Sequence, residues 1–523
     1  DLWRDRFRQA FERRDGSALQ GLARQPEVLA QPPATVHLLA LMLRQTGQTP
    51  VAVAVLRQAQ RRYPDDFWVN HELGYALLRL DPVQAGEAAG CFRAALALRP
   101  ESAGVRLNLG SALTQLGNFA EAEAEYREVL HSRPDSARAR AGLGGVLHKQ
   151  GQWARAEAEF REALRLEPGY AGAHSQLGYA LLRQNKLPQA EAEFREAVRL
   201  NPDYLGYRNA LGMVLSNQGK LPQAEAELRE AVRRQPDSAA AHYHLAGALR
   251  KQNRPAEAEA ELREAARRQP DYTPAYVGLG HLLWDQGRLD EAQAAYREAT
   301  RAKPDYADAY HNLASTCARR GQWVQAAVAF ERCRELKPDD YRYWYRCAIL
   351  RLQTGDGEGY RRACREMLGR FGQIDQAELA ARAAAICALD PDAVGDPEGV
   401  VRLADRAVTT GKKHRHYPYF LLVRGLAEYR AGRPAAAADW LQRLSPQAKP
   451  QQFAHLDAMT FAALALVHHR LGRDAEARAA AATARAIVAD KMPDPGKGQP
   501  FGDDWIEWLH CQHLCREAEG LGR

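Results

Sequence analysis

The chain has 523 residues, of which 46% are hydrophobic and 26% charged, so it belongs with folded proteins and not with disordered ones. Its net charge of +7 is a mild excess for this length, which argues against a dedicated nucleic-acid-binding domain. One compact core rarely holds so many residues, and this leaves several domains or a repeat array as the alternatives.

The eight cysteines are scattered and include no CxxC pair, a pattern typical of thiols in a reducing compartment. No stretch reaches the roughly 18 apolar residues that a membrane-spanning helix needs. No apolar signal segment opens the chain. We therefore expect a cytoplasmic protein without a membrane segment in this chain.

Residues 1–32 predict two short helices that cap the N-terminus. Two loose helical hairpins follow, Pro33–Pro64 and Phe67–Pro100, and the second carries Leu73-Gly74. From residue 103 the pattern becomes regular, because proline recurs every 34 residues from Pro100 to Pro338. A fixed period of this length indicates a repeat architecture of seven regular units.

Residues 171–202 illustrate one unit. Its first half has apolar residues at spacings of three and four, and its second half is rich in helix-forming residues, so both halves predict amphipathic helices. Asn185 lies at the turn between them, where other units have glycine. The small residues Gly178 and Ala190 predict a close approach of the two helices. Glu191 and Arg195 are four apart and predict a salt bridge on the solvent face.

The 34-residue period, with its Leu-Gly, alanine, aromatic and closing proline positions, resembles the tetratricopeptide repeat. The resemblance implies an all-α, right-handed superhelical solenoid of about nine to ten helical hairpins, with the repeat array at residues 33–338. A single hairpin cannot bury its own apolar faces, so we expect each hairpin to pack against its neighbours.

The period is lost after residue 338. Residues 339–488 predict divergent helical hairpins, in the first of which Tyr360 replaces a small alanine. Residues 489–503 are rich in proline and glycine and predict a linker. Residues 504–523 predict a capping helix that carries Trp505 and Trp508.

Four stretches outside the regular units have a narrower resemblance: Asp66–Gly74, Leu403–Val408, Tyr417–Arg433 and Asp503–Glu519. They resemble the C-terminal region of large planctomycete serine/threonine protein kinases, in which a kinase domain precedes a tetratricopeptide region. The resemblance implies that this chain is a partner-binding arm of such a kinase or a stand-alone relative. The kinase motifs themselves do not occur in this sequence.

No catalytic motif is evident, since the sequence has neither GxSxG nor HExxH. We therefore predict no enzyme activity, no catalytic residue, no cofactor and no metal. Cys511 and Cys515 share one face of the last helix, where packing is favoured and metal ligation is the alternative. His414 and His416 flank Arg415 in a basic stretch that predicts a solvated loop.

Function is then expected on the concave surface, which the first helices of the units line. We number each unit from three residues after the preceding proline and assign positions 2, 5, 9, 12 and 13 to this surface. These positions, with the equivalent stripe of the earlier hairpin, predict a partner-binding groove formed by His71, Tyr75, Arg79, His148, Lys149, Tyr179, Arg183, Asn209, Met213, Tyr243, Arg250, Lys251, His281, Trp284, His311 and Arg319.

Aromatic and arginine side chains in this mixture are typical of protein recognition, because arginine binds carboxylate or phosphate through two hydrogen bonds. The leading hypothesis is a protein-interaction scaffold that binds an extended or helical segment with acidic or phosphorylated residues. The first alternative is a regulatory or substrate-docking arm in a larger complex with a kinase or another effector enzyme. The second is nucleic-acid binding by the arginine-rich inner surface.

Overall fold

The computed structural model describes residues 2–80, 82–444 and 454–520. Within these ranges the chain forms 29 α-helices and two short 3-10 turns, with no β-strand. The all-α solenoid expected from the period is therefore confirmed. None of the described helices has the length and apolar character needed to cross a membrane. The chain divides into two compact units, Asp1–Arg254 (unit 1) and Pro255–Arg523 (unit 2).

Unit 1 contains fifteen helices in its described part. In chain order they are α1 (Leu2–Glu12), α2 (Gly16–Ala23), α3 (Pro33–Gln45), α4 (Thr49–Arg62), α5 (Phe67–Leu77), α6 (Ala85–Leu98), α7 (Ala103–Leu116), α8 (Phe119–Ser132), α9 (Ala137–Lys149), α10 (Trp153–Leu166), α11 (Ala171–Arg183), α12 (Leu187–Leu200), α13 (Leu205–Asn217), α14 (Leu221–Arg234) and α15 (Ala239–Lys251).

Unit 2 contains the remaining helices of the described chain. They are α16 (Pro255–Arg268), α17 (Thr273–Asp285), α18 (Leu289–Ala302), α19 (Ala307–Arg319), α20 (Trp323–Leu336), α21 (Tyr341–Gln353), α22 (Gly357–Phe371), α23 (Ala377–Cys387), α24 (Pro397–Thr410), α25 (Tyr417–Arg430), α26 (Pro434–Gln442), α27 (Ala454–Arg470), α28 (Asp474–Lys491) and α29 (Trp505–Gly520). The residues 521–523 assigned to the last helix lie outside the described ranges.

From α7 to α15 in unit 1, each first helix contacts the first helix of the next hairpin, as α9 does with α11 and α11 with α13, and α7, α9, α11 and α13 each pack against their own second helix. In this part of unit 1 the first helices therefore form one layer and the second helices another. The Leu-Gly pair explains how the layers approach each other. A Cβ built on Gly178 would lie 2.8 Å from Phe194 Cζ, so the ring occupies the space that a side chain would need.

The turn between the two helices uses the left-handed backbone region that the sequence predicted. Gly151 and Gly219 each have φ of +76°, and Asn185 takes the equivalent position with φ of +59°. Asparagine tolerates this region better than other residues with a Cβ, which explains the exchange at this position.

A repeating salt bridge joins consecutive hairpins. Glu191 lies on a second helix, is 3% exposed, and accepts a hydrogen bond from Lys220 Nζ of the next hairpin at 2.7 Å. Arg195 also contacts this carboxylate at 2.5 Å, as predicted, but the prediction of a solvent-facing pair was wrong, because the next hairpin covers Glu191. The same bridge recurs between Glu157 and Lys186 and between Glu225 and Arg254.

The divergent hairpins of unit 2 keep the same packing rule without the same sequence. A Cβ on Gly425 of α25 would lie 2.7 Å from Leu441 Cδ2 of α26. Tyr360, which replaces the small alanine, is fully buried, and its hydroxyl donates to the Ile386 carbonyl oxygen at 2.5 Å. A large side chain is tolerated here because its polar end has a partner.

Candidate functional site

The candidate site in unit 1 is the outward side of its first helices, which we call the first-helix face. Lys149 ends α9, Arg183 ends α11 and Lys251 ends α15, so the same position of three hairpins places a cation there. All three side chains are exposed. The repeat geometry therefore arranges the predicted cations along one edge of this face.

These cations differ from those of the second-helix layer. Arg161, Arg195 and Arg229 of that layer each contact a carboxylate four residues earlier, at distances of 2.5 to 2.8 Å. Lys149, Arg183 and Lys251 form no salt bridge with any residue that the structure describes. The cations of the first-helix face therefore lack carboxylate partners among the described residues, whereas these arginines of the second-helix layer have them.

Two of these cations, Arg183 and Lys251, are held by other contacts. The Arg183 guanidinium lies 5.2 Å from the Trp153 ring centroid, a cation–π distance. Lys251 Nζ donates to the Ser216 carbonyl oxygen at 3.1 Å and to Asn217 Oδ1 at 2.9 Å. These neutral partners orient the cations and leave their charge uncompensated.

Neighbouring positive charge contributes, after burial, to two pKa shifts on this face. Burial lowers the pKa of His148, and the nearby charges of Lys149 and Arg183 lower it further. Burial likewise lowers the pKa of Lys251, with Arg250 adding to the effect. Since like charges oppose further protonation, an anion bound on this face would relieve the repulsion.

Neutral predicted residues lie between the cationic positions. Tyr179 is half-buried and meets the Phe194 ring edge-on, with centroids 5.0 Å apart. Tyr243 lies 5.3 Å from the His244 ring, and Met213 is half-buried on α13. Asn209 is only 8% exposed, and its Oδ1 accepts no hydrogen bond from the described residues.

The predicted residues of the earlier hairpin, His71 and Tyr75 on α5 and Arg79 just after it, lie close together. Their polar groups are engaged with each other or with neighbouring residues. Two guanidinium groups lie over the Tyr75 ring, that of Arg44 at 4.6 Å and that of Arg79 at 4.7 Å from its centroid. Arg79 Nη2 also donates to the Tyr75 hydroxyl at 2.5 Å. His71 Nε2 lies 3.1 Å from Asn108 Nδ2 of α7. Sequence reasoning missed Arg44, which lies in the looser hairpin Pro33–Pro64, where no groove positions were assigned.

The four predicted groove residues of unit 2 have different surroundings. Arg319 stacks on Trp284 at 4.6 Å, and its Nε donates to the Phe501 carbonyl oxygen at 2.7 Å. His281 Nε2 lies 3.1 Å from Asn312 Nδ2. His311 Nδ1 lies 3.2 Å from Arg346 Nη1, and burial, with help from Arg346, lowers the pKa of His311 to about 4.

Phe501 belongs to residues 489–503, the segment expected to be a linker. Its backbone N–H donates to the Arg319 carbonyl oxygen at 2.9 Å, and its side chain is 2% exposed beside Trp323, with ring centroids 5.2 Å apart. The expectation of a linker is therefore corrected for this part of the segment. One aromatic residue among glycines and prolines was the available sequence signal.

Helix α29 continues this cover over the first helices of unit 2. It packs on α27 and contacts α21. Arg430 of α25 donates to both carboxylate oxygens of Glu517 at 2.6 and 2.5 Å. The Cys511 thiol is buried and donates to the His455 carbonyl oxygen at 3.1 Å, so packing accounts for it. The chain's own C-terminal segment thus covers this side of the divergent hairpins.

The sequence matches tetratricopeptide repeat family models over more than half of its length. One model matches residues 84–137, 107–171, 146–205, 209–273 and 395–452, a second matches 250–317 and 283–346, and a third matches 37–66. The chain therefore belongs to the tetratricopeptide repeat family. Its members generally mediate protein–protein interactions, and the fold is typical of non-catalytic scaffolds. No curated protein matches the sequence.

Several solved structures are similar over part of the chain. YrrB, described as a tetratricopeptide repeat protein with an unusual peptide-binding site, is 26% identical, with 36% of this chain and 96% of YrrB covered and a TM-score of 0.30. A Thermus thermophilus protein, TTC0263, is 27% identical over 35% of this chain and 98% of its own, with a TM-score of 0.32. A Parabacteroides merdae protein is 16% identical over 48% and 98%, with a TM-score of 0.40.

Proposed function

We propose that the chain is a protein-interaction scaffold whose first-helix face in unit 1 binds an acidic or phosphorylated peptide segment of a partner protein. The observation that carries this proposal is the set of exposed cations without carboxylate partners among the described residues, Lys149, Arg183 and Lys251. Carboxylate and phosphate groups pair with such side chains through charge-assisted hydrogen bonds.

The neighbouring neutral residues support a peptide as the ligand. Tyr179 and Tyr243 offer aromatic surface that loses little side-chain entropy on binding. The Oδ1 of Asn209, which has no donor among the described residues, is an acceptor for a backbone N–H of a bound chain. The proposed ligand is therefore an acidic segment that also presents an apolar side chain and its own backbone.

A fluorescence anisotropy experiment with matched peptides tests this proposal. Peptides of one scaffold would carry either glutamate, phosphoserine, glutamine or lysine at the same positions. We expect the glutamate and phosphoserine peptides to bind and the affinity to fall with added salt. The combined variant Lys149→Glu, Arg183→Glu and Lys251→Glu is expected to weaken binding at least about tenfold, since each charge-assisted contact is worth more than about 1 kcal/mol.

The control variant reverses Arg165, Arg199 and Arg233 of the second-helix layer. These residues recur with the same period, are exposed, and give the same change in net charge. Binding by this variant should resemble that of the wild type. Equal binding of the lysine and glutamate peptides, or full binding by the first-helix variant, would contradict the proposal.

Docking to a serine/threonine kinase is the narrower form of this function that the kinase resemblance implies. A kinase domain encoded in the same gene, or co-purification with one, would support it. Nucleic acid is the alternative anionic ligand. It predicts retardation of RNA or duplex DNA in a gel. The logarithm of the affinity should fall with the logarithm of the salt concentration, at a slope of about −0.9 for each duplex phosphate that the protein neutralises. Retention of acidic peptide without retardation of nucleic acid would favour the protein partner.

A further inference from the structure

Three potential metal ligands meet in unit 2 near the start of α25. Glu378 lies in the first turn of α23, and His414 and His416 lie in the loop between α24 and α25. One ligand atom from each residue lies within 4.8 Å of the other two. All three side chains are half-buried, whereas Lys412, Lys413 and Arg415 of the same loop are exposed, so the expectation of a solvated loop holds for the basic residues and not for the two histidines.

The distances between the nitrogen and oxygen atoms that could bind a metal exceed those of direct hydrogen bonds. Glu378 Oε2 lies 3.7 Å from His414 Nε2, and Glu378 Oε1 lies 3.7 Å from His416 Nδ1. Hydrogen bonds between such groups are shorter than about 3.2 Å. Ligands of a tetrahedral zinc ion, with bonds of about 2.1 Å, lie about 3.4 Å from each other. The separation of 3.7 Å between Glu378 Oε2 and His414 Nε2 is close to this ligand spacing. The contact with His416 involves the other carboxylate oxygen, and one ligand atom from each of the three residues lies within 4.8 Å of the other two.

Neighbouring groups orient two of the ligands. Arg382 donates to Glu378 Oε1 from Nη2 at 3.1 Å and from Nε at 3.3 Å, which leaves Oε2 available. The His414 ring stacks on Phe420 with centroids 5.3 Å apart and planes at 25°. Such outer contacts commonly position metal ligands.

The adjoining cavity has a negative balance of charge. Its volume is about 440 Å³, and its lining includes Glu378, His416, Asp503, Asp504 and Glu507. Arg382 and Arg415 are the two guanidinium groups in the lining, against four carboxylates. Apart from Glu378 itself, three carboxylates and two guanidinium groups remain in the lining, a slight negative balance for a cation bound at Glu378 and His416. The cavity also gives solvent or a fourth ligand access to it.

We propose that Glu378, His414 and His416 form a zinc site, with three protein ligands and a fourth position open to the cavity. Two imidazoles with one carboxylate are a ligand set that zinc uses when one position is left open. The ion would connect α23 to the loop that precedes α25. The proposal is independent of peptide binding in unit 1.

One contact must change when the ion binds. His414 Nδ1 accepts the backbone N–H of His416 at 3.2 Å, which places the proton of neutral His414 on Nε2. Coordination through Nε2 requires the proton on Nδ1, so this hydrogen bond is exchanged for the metal bond. A small rearrangement of the loop is therefore part of the proposal.

The test uses the full chain after treatment with a chelator, titrated with Co²⁺ as a spectroscopic probe and then with Zn²⁺. We expect one Co²⁺ per chain, visible bands of a four-coordinate nitrogen and oxygen site, displacement by Zn²⁺, and a rise in Tm with Zn²⁺. Strong near-ultraviolet bands from a thiolate ligand should be absent. Such bands would place the ion at cysteine, for which Cys511 and Cys515 are the candidates, and would overturn the proposal.

Two variants remove different ligands. Glu378→Gln and His416→Ala are each expected to weaken Zn²⁺ binding by more than about tenfold, the loss that even an outer-shell partner can cause. The control His469→Ala removes a histidine of α27 that pairs with Asp474 and should bind as the wild type does. Circular dichroism of the metal-free variants checks that they fold. The proposal fails if wild type shows no Co²⁺ bands, or if both ligand variants retain them.

Discussion

Gly144 of α9 faces the ring of Phe160 on α10, and a Cβ built on Gly144 would lie 2.8 Å from Phe160 Cε1. The next residue, Gly145, has no atom within 4 Å of its built Cβ. Two adjacent glycines on one helix therefore have opposite roles. Gly144 allows the two helices to pack closely, whereas Gly145 lies on the first-helix face and has space around it.

This contrast predicts different effects of one substitution. Gly144→Ala should reduce the free energy of unfolding by about 1–3 kcal/mol, because the added methyl overpacks a buried contact. Gly145→Ala should leave stability unchanged or raise it by up to about 1 kcal/mol, because alanine favours helix. Urea unfolding followed by circular dichroism measures both. Equal loss in the two variants would contradict the assigned roles.

Stability should fall in acid through the salt bridges that join hairpins. Burial of Glu225 opposes its ionisation, but Gln252, Arg229 and Arg254 donate to the carboxylate and lower its pKa to about 2. In the unfolded chain the Glu225 carboxyl has a pKa of about 4.3. The stabilisation is therefore complete above that pH and is lost as pH falls toward about 2.

Replacing Glu225 with glutamine should therefore lower stability at neutral pH and make the urea midpoint vary less between about pH 5 and pH 2, since one proton-linked group is removed. Glu162→Gln is the control, because its carboxylate pairs with Arg165 within one exposed turn and joins no second hairpin. An unchanged pH profile for the Glu225 variant would show that this bridge does not contribute to acid unfolding.

The Arg430–Glu517 pair should anchor α29. Arg430 is 6% exposed at its side chain, and it also donates to the carbonyl oxygens of Ala388 and Leu389. Glu517→Ala removes the counter-charge of a buried guanidinium and should cost about 3 kcal/mol of local stability. Hydrogen exchange of α29 amides measures this loss.

Glu519→Ala on the same helix supplies the comparison. Glu519 pairs with Arg485 at 3.3 Å, and both side chains are largely exposed, so its removal should cost less than about 1 kcal/mol. If the two alanine variants exchange at the same rate, the buried pair is not what holds the helix.

Phe501 should hold the segment before α29 against unit 2. Phe501→Ala removes a ring that is 2% exposed beside Trp323, and such truncations cost about 3 kcal/mol or more in packed sites. We expect faster proteolysis at the exposed residues 496–500. Gln499→Ala changes an exposed side chain of the same segment and should be cleaved at the wild-type rate. Unaltered cleavage of the Phe501 variant would rule out this anchoring role.

The sequence alone determined the helical hairpins, their 34-residue period and the positions of the turns. These follow from local rules, because helix formers, a turn residue with positive φ and a closing proline act within one unit. The cations Lys149, Arg183 and Lys251 were also assigned to one face by period alone, since every unit has the same geometry.

Tertiary structure decided which of these groups are paired. Glu191 reads as a solvent-side residue within its own helix, yet the next hairpin covers it and Lys220 completes its salt bridge. Arg319 looks equivalent to Arg183 in the repeat, but Phe501, which lies 182 residues later, binds it. Contacts between residues so far apart depend on how the chain folds back on itself. A local sequence pattern therefore cannot identify a partner that lies outside the repeat, as Phe501 does.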